Sequence, residues 1–281
     1  MISARIKTQI REINESIKLS RLYISALITD KHIRSLHPRL KKLKGRYTGK
    51  RCFIMGNGPS INQTNLSLLK DDYVWGFNRC NLLFDRIDWR PAFYMSVDTR
   101  VTPDISEEIS RLITDLRETI FFFPKKYRIL RILPTAENVY YYHEKRINDK
   151  NLPYGNFSIN PPAYVRAVRS VTIAAIQIAV YLGFNPIYLI GCDTDYKQKG
   201  KFRYEDEKEY EIISMSDSDT DHFTKDYFGK GKKFHKPHPE KMLFSYFQVK
   251  QVCDEHNIKI YNATIGGKLE VFPRVNYQAL F

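Results

Sequence analysis

Arg51-Cys-Phe-Ile-Met-Gly-Asn-Gly-Pro-Ser60 decides the fold, because a short apolar run passes directly into a turn bracketed by glycines. A run of that length bounded by glycine predicts a buried strand, and the bare backbone after it permits close approach by a phosphate or nucleotide. Gly56 and Gly58 remove side chains and allow positive φ. Pro59 suits a first helical position, and Ser60 offers a hydroxyl to the exposed amides. Asn57 is the large polar group of the turn, able to donate and to accept. A plain strand-to-helix turn uses the same residue types, so the pentapeptide alone supports both readings. It matches neither G-x-G-x-x-G nor G-x-x-x-x-G-K-[ST].

Outward from that turn, strand-like and helix-like runs alternate. Residues 52–55, 73–77, 92–97, 120–123, 139–142, 187–190 and 258–261 read as strands; 65–70, 106–117, 170–182 and 239–256 read as helices. Such alternation predicts an α/β domain with a mainly parallel sheet, in which ligands bind beyond the carboxyl ends of the strands. Polar residues gather where the strands stop: Asn78 and Asn81 after the second, Asp98 after the third, and Gly191, Asp193, Asp195 and Tyr196 after the strand 187–190. If the strands are parallel, these groups share one rim with Gly56, Asn57, Gly58, Pro59 and Ser60.

At 281 residues the chain can bury a sizeable core, and its 43% hydrophobic content is that of a globular protein. Cys52, Cys80, Cys192 and Cys253 lie far apart without a C-x-x-C pair, which argues for reduced, buried thiols in a cytosolic protein. No segment reads as a signal peptide or a membrane span. The net charge of +14 is concentrated at the start, where residues 1–51 hold 14 Lys and Arg against 3 Asp and Glu. There Ile6, Ile10, Ile13, Ile17, Leu22, Ile24, Leu27 and Ile28 recur at roughly helical spacing among basic residues, and Arg39, Lys41, Lys42, Lys44 and Arg46 follow. Residues 1–47 are therefore expected to form a basic amphipathic extension to a domain of residues 48–281. Its partner is an anionic membrane surface or another helix, or else it packs on the body with a solvated basic face. Nucleic acid is not an expected partner, since no basic stripe or nucleic-acid motif follows.

Residues 214–238 form a polar, glycine-bearing stretch with Phe223, Tyr227, Phe228 and Phe234 and three histidines, His222, His235 and His238. A long segment of that composition reads as a lid, at about 197–238, and its histidines are candidates for a general acid or base.

The glycine turn, the Asn78 to Asn81 segment, the helix over 170–182 and Ile187-Tyr-Leu-Ile-Gly-Cys-Asp193 together resemble the bacterial sialyltransferases that use CMP-activated sialic acid. Their wider relatives include motility-accessory flagellin glycosyltransferases and 6-hydroxymethylpterin diphosphokinase-like proteins. The similarity runs over residues 51–261. It implies a Rossmann-like variant of the GT-A fold in which Asn57, Gly58, Pro59 and Ser60 hold the nucleotide and either Asn78 or Asn81 contacts the donor. It further places Ser170 and Thr172 at the cytidine, Gly191 and Asp193 beside ribose and base, and a lid histidine, His235 or His238, as base. His222 matches an earlier lid histidine.

The resemblance implies transfer from a CMP-sugar, sialic acid or a related sugar, to a glycan or glycolipid acceptor at a surface. No cofactor is then required. The chain departs from the pattern at Asp195, which makes Asp193-Thr194-Asp195 an Asp-x-Asp, the arrangement by which other transferases hold a divalent metal. A diphosphokinase using ATP and Mg²⁺, with Asp98, Asp193 and Asp195 on the metal, is the second expectation. A membrane-surface scaffold without catalysis is the third. A cytoplasmic location, peripheral to the membrane, accompanies the first, and homo-oligomerisation is left open.

Overall fold

The computed structural model describes residues 21, 36–145, 157–166, 170–196, 202–204, 211–214, 218–235 and 237–281. The amphipathic repeat between Ile6 and Ile28 lies outside these, Arg21 excepted, as does most of the loop beyond Tyr196.

A seven-stranded sheet carries the molecule, in the order β12-β8-β1-β2-β3-β4-β5. Its strands are β1 (Cys52–Met55), β2 (Tyr73–Phe77), β3 (Phe93–Met95), β4 (Ile120–Pro124), β5 (Val139–Tyr142), β8 (Ile187–Ile190) and β12 (Ile260–Asn262). Every pairing in it is parallel. These segments form strands because they are continuous apolar, β-branched and aromatic runs with both faces covered. Alternate residues go to opposite layers: Cys52, Ile54, Trp75, Phe93 and Phe122 to one core, Phe53, Met55, Val74, Tyr94 and Phe121 to the other. Chain direction across the sheet reverses between β1 and β8, so the switch point, where such folds open a crevice, falls at the ends of these two strands.

Among the described residues these helices accompany the sheet: α1 (Leu36–Lys41), α2 (Val101–Asp104), α3 (Ser106–Asp115), α4 (Lys125–Ile129), α5 (Val171–Leu182) and α6 (Pro239–Glu255). α5 is apolar almost all round, and ten of its residues are buried because it is roofed by α6 and floored by the sheet. Gly183, at φ 95°, ends it in the left-handed conformation. α3 buries Ile109, Leu112 and Ile113 on the other face. The stretch read as helix over 65–70 is a short 3₁₀ turn, Leu66–Leu69, capped by Asn65.

The described part of the basic extension lies on the body. Leu40 and Leu43 are each 2% exposed. Arg39 donates to the carbonyls of Val139 and Glu137 and sits 4.4 Å above the Tyr140 ring. This cation of the basic cluster thus fixes a strand end. Among the described residues no helix is long and apolar enough to cross a membrane. All four cysteines are buried and free.

The described part of the segment read as a lid is more regular than its polar composition suggests. β9 (Phe202–Tyr204), β10 (Glu211–Ser214) and β11 (Lys233–His235) form an antiparallel sheet, ordered β11-β10-β9. A two-stranded ribbon, β6 (Glu144–Lys145) with β7 (Val165–Arg166), extends the fold beyond β5. Two-residue strands carry no periodic signal, which is why the sequence does not announce them.

Candidate functional site

The turn after β1 is bound to the end of β8. Gly56 N donates to Ile190 O at 2.8 Å and Gly58 N to Gly191 O at 2.9 Å. Pro59 opens a 3₁₀ turn, Pro59–Gln63, whose Ser60 donates its amide to Asp193 Oδ1 (3.1 Å) and its hydroxyl to Asp193 Oδ2 (2.7 Å). Glycine is required here for packing between strand ends. A methyl group on Gly58 would collide with the Asp193 carboxylate, and one on Gly191, at φ 63°, would stand 2.6 Å from Gly56 O. Burial raises the Asp193 pKa, with Ser60 acting against the shift and Asp195 adding to it. Asp195 turns to Lys268, 2.6 Å away. The Asp-x-Asp therefore has its first carboxylate on Ser60 and its second on a lysine, a donor set already engaged.

Further along the rim the polar groups face the lid. Asn57 donates from Nδ2 to Phe77 O (3.2 Å) and to Tyr227 OH (2.8 Å), while its Oδ1 is buried without a partner. Asn57 O accepts from Phe223 N, and Asn62 donates to Phe223 O at 2.8 Å, so two further bonds dock the lid on this turn. Asn78, at φ 47°, accepts at Oδ1 from Ser96 (2.9 Å) and at its carbonyl from the Tyr94 hydroxyl. Asn81 points instead at α3, donating to Glu108 at 2.7 Å. Of the two asparagines, Asn78 belongs to the rim through Ser96. Between them Arg79, which the sequence reading passed over, donates to Tyr227 O and Asp226 O.

Asp98 and His235 meet although 137 residues apart: His235 Nδ1 lies 2.8 Å from Asp98 Oδ2. Asp98 Oδ1 accepts from Arg100 N (2.7 Å) and Val101 N (3.0 Å), which starts α2. Tyr127 on α4 donates to the carbonyls of Val97 and Asp98, holding the same loop from the other side. Burial works against the Asp98 charge, yet the His235 bond and charge and the two amides outweigh it and hold its pKa below the usual value. An ionised carboxylate only accepts, so Nδ1 donates to Asp98, and Nε2 is the ring nitrogen left to exchange a proton.

The remaining candidates divide. His222 binds Asp219 at 2.7 Å and stacks on Tyr227 with ring centres 4.0 Å apart, a contact that builds the lid. His238 precedes α6 and accepts there from Met242 N. Ser170 lies 3.3 Å from Tyr246 OH, and Thr172 is buried at the start of α5. Tyr196 is 38% exposed with its hydroxyl 3.8 Å from Met242 Sδ. Cys192 is no nucleophile, since burial pushes its thiol up to about 12.

Two pockets open elsewhere. One of about 350 Å³ lies between Gln63, Thr264 and Tyr277, and one of about 270 Å³ between α6 and β12. Neither includes His235, which belongs to β11 itself, or Asn57, whose side chain is held against Tyr227.

Among solved structures the chain is similar to the MAf glycosyltransferase from Magnetospirillum magneticum AMB-1, at 16% identity and a TM-score of 0.47. The match covers 88% of this chain and 39% of that one, so this chain spans about two fifths of the length of that neighbour. No curated protein matches the chain. The family described as 6-hydroxymethylpterin diphosphokinase MptE-like matches residues 28–199, which take in β1 to β8, the glycine turn and Asp193, and stop before His222 and His235. That match spans well over half of the sequence, and the chain belongs to the 6-hydroxymethylpterin diphosphokinase MptE-like family.

Proposed function

We propose that the chain is an inverting glycosyltransferase that moves a sugar from a CMP-sugar to a hydroxyl of a surface glycan, with His235 as general base. The observation that carries this reading is the His235–Asp98 pair, 2.8 Å apart on the rim of strand ends. Asp98 fixes the tautomer, and Nε2 takes the acceptor proton as the acceptor oxygen bonds to the anomeric carbon. The bond from that carbon to the phosphate oxygen breaks on the opposite face, and CMP leaves with the electron pair. A base of this kind contributes about 10²- to 10⁴-fold. Asn57 Oδ1 is a buried acceptor lacking a donor, so it suits a ribose hydroxyl or the cytosine amino group better than a phosphate.

Diphosphoryl transfer from ATP is the second reading, favoured by the family to which the chain belongs. It too needs a base for an attacking hydroxyl, and it needs Mg²⁺. The carboxylates that would hold the ion are spoken for: Asp98 by two amides and His235, Asp193 by Ser60, Asp195 by Lys268. The donor set does not fit the metal as it stands, which favours the CMP-sugar. Thermal shift with CMP, UDP and ATP, each with Mg²⁺ or EDTA, separates the two. Stabilisation by CMP alone, unchanged by EDTA, is expected. Stabilisation by ATP only, lost in EDTA, would overturn it.

A further inference from the structure

The far end of the rim holds a buried cation that meets no counter-charge among the described residues. Arg166 on β7 is 8% exposed, and its Nε and Nη1 have no hydrogen-bond partner. Among the described residues it makes no ion pair. Its guanidinium lies 4.8 Å from the Tyr164 ring, and Lys145 Nζ lies 5.4 Å from the same ring. β6 and β7 pair Lys145 with Arg166, so the two cations converge. His143, just before β6, has a buried Nδ1 that is also unmatched. Burial, then Lys125 and Lys145, lower the His143 pKa, as expected where positive charge accumulates. Glu144, the carboxylate at hand, is taken by Lys126 at 2.6 Å.

The arginine is also rigidly placed. Gln177 on α5, wholly buried, accepts from Arg166 N at 2.9 Å and donates to Arg166 O at 3.3 Å. An unpaired buried guanidinium is costly, and such groups persist where something completes them.

We propose that Arg166, with Lys145 and His143, is a seat for an oxyanion, a phosphate or carboxylate group. Guanidinium donors in a fixed fork match both. The seat follows β5, two strands from the loop of Asp98, or about 10 Å along the rim at the usual strand spacing. That separation places the anion on the far side of the base from the glycine turn. The seat stands independently of the donor proposed above, because its first test uses inorganic phosphate.

Melting is measured in sodium phosphate and in sodium chloride of equal ionic strength. Phosphate at tenfold its Kd is expected to raise the wild-type Tm by about 3–5 °C. Arg166→Met is expected to melt at or above wild type without phosphate, having lost an unpaired charge, and to gain nothing from phosphate. Lys145→Met, at an exposed position, keeps the fold intact and is expected to show a weaker phosphate shift. CMP identifies the source: a CMP shift retained in Arg166→Met assigns the seat to an acidic acceptor, and one lost with the phosphate shift assigns it to the donor phosphate. An equal phosphate shift in wild type and Lys145→Met, or a lower-melting Arg166→Met that still responds to phosphate, would overturn the seat.

Discussion

The corner where β1 meets β8 and the rim from β2 to β5 are built from similar polar residues, yet they spend them differently. In the corner the polar groups engage one another: Ser60 donates to both oxygens of Asp193, Gly58 leaves room for that carboxylate, and Gly191 lies against Gly56. Along the rim, capacity is left over. His235 engages Asp98 through Nδ1, and Nε and Nη1 of Arg166 are buried without a hydrogen-bond partner; Oδ1 of Asn57, in the glycine turn itself, is the corner's one exception among the described residues. A glycine-rich turn that looks like a ligand cradle is here also a joint between strands.

The comparison breaks most directly at His235. His235→Ala should lower turnover by about 10²- to 10⁴-fold while CMP binding, followed by calorimetry, stays within about twofold. Full turnover in the variant would move the base to His238. In the corner, Gly191→Ala should cost on the order of 3 kcal/mol in urea unfolding, since a strained φ adds to a clash with Gly56 O. Gly49→Ala, at φ 78° with nothing within 4 Å, should cost about 1 kcal/mol; equal losses would mean that strand-end packing contributes nothing.

The smallest effect concerns pH. Asp98 has a lowered folded pKa, so its stabilisation is present above the unfolded value and is lost as pH falls through the folded one. Asp98→Asn should therefore be about 1 kcal/mol less stable than wild type at pH 7, and the gap should close below about pH 4. A gap that stays constant with pH would show that the Asp98 charge is not what matters.

The sheet was legible because its strands are unbroken apolar runs; β1, β2, β5 and β8 fall on the residues the pattern predicts. The parallel direction followed from the βα alternation, whereas the order of the strands did not. The lid sheet was not legible: Lys233–His235 is too short and too polar to alternate. Nor was the site geometry. Asp98 and His235 carry no mark of each other across 137 positions. Arg166 looks like any basic residue until its surroundings show that no acid among the described residues answers it. The glycines were legible as glycines, but their reason lay in a strand arriving more than 130 residues later. The three histidines of the lid were alike in sequence, and only contacts separate His222, stacked on Tyr227, from His235, set against Asp98.

Asp98 uses one oxygen to begin a helix and the other to hold an imidazole. Mutational drift at this position has almost nowhere to go. Asparagine keeps an acceptor for the amides but turns an amino group toward the ring, and glutamate keeps the charge but is a methylene too long to serve both. Two properties that selection could otherwise adjust separately, where a loop ends and how an imidazole is aimed, are inherited together through a single codon.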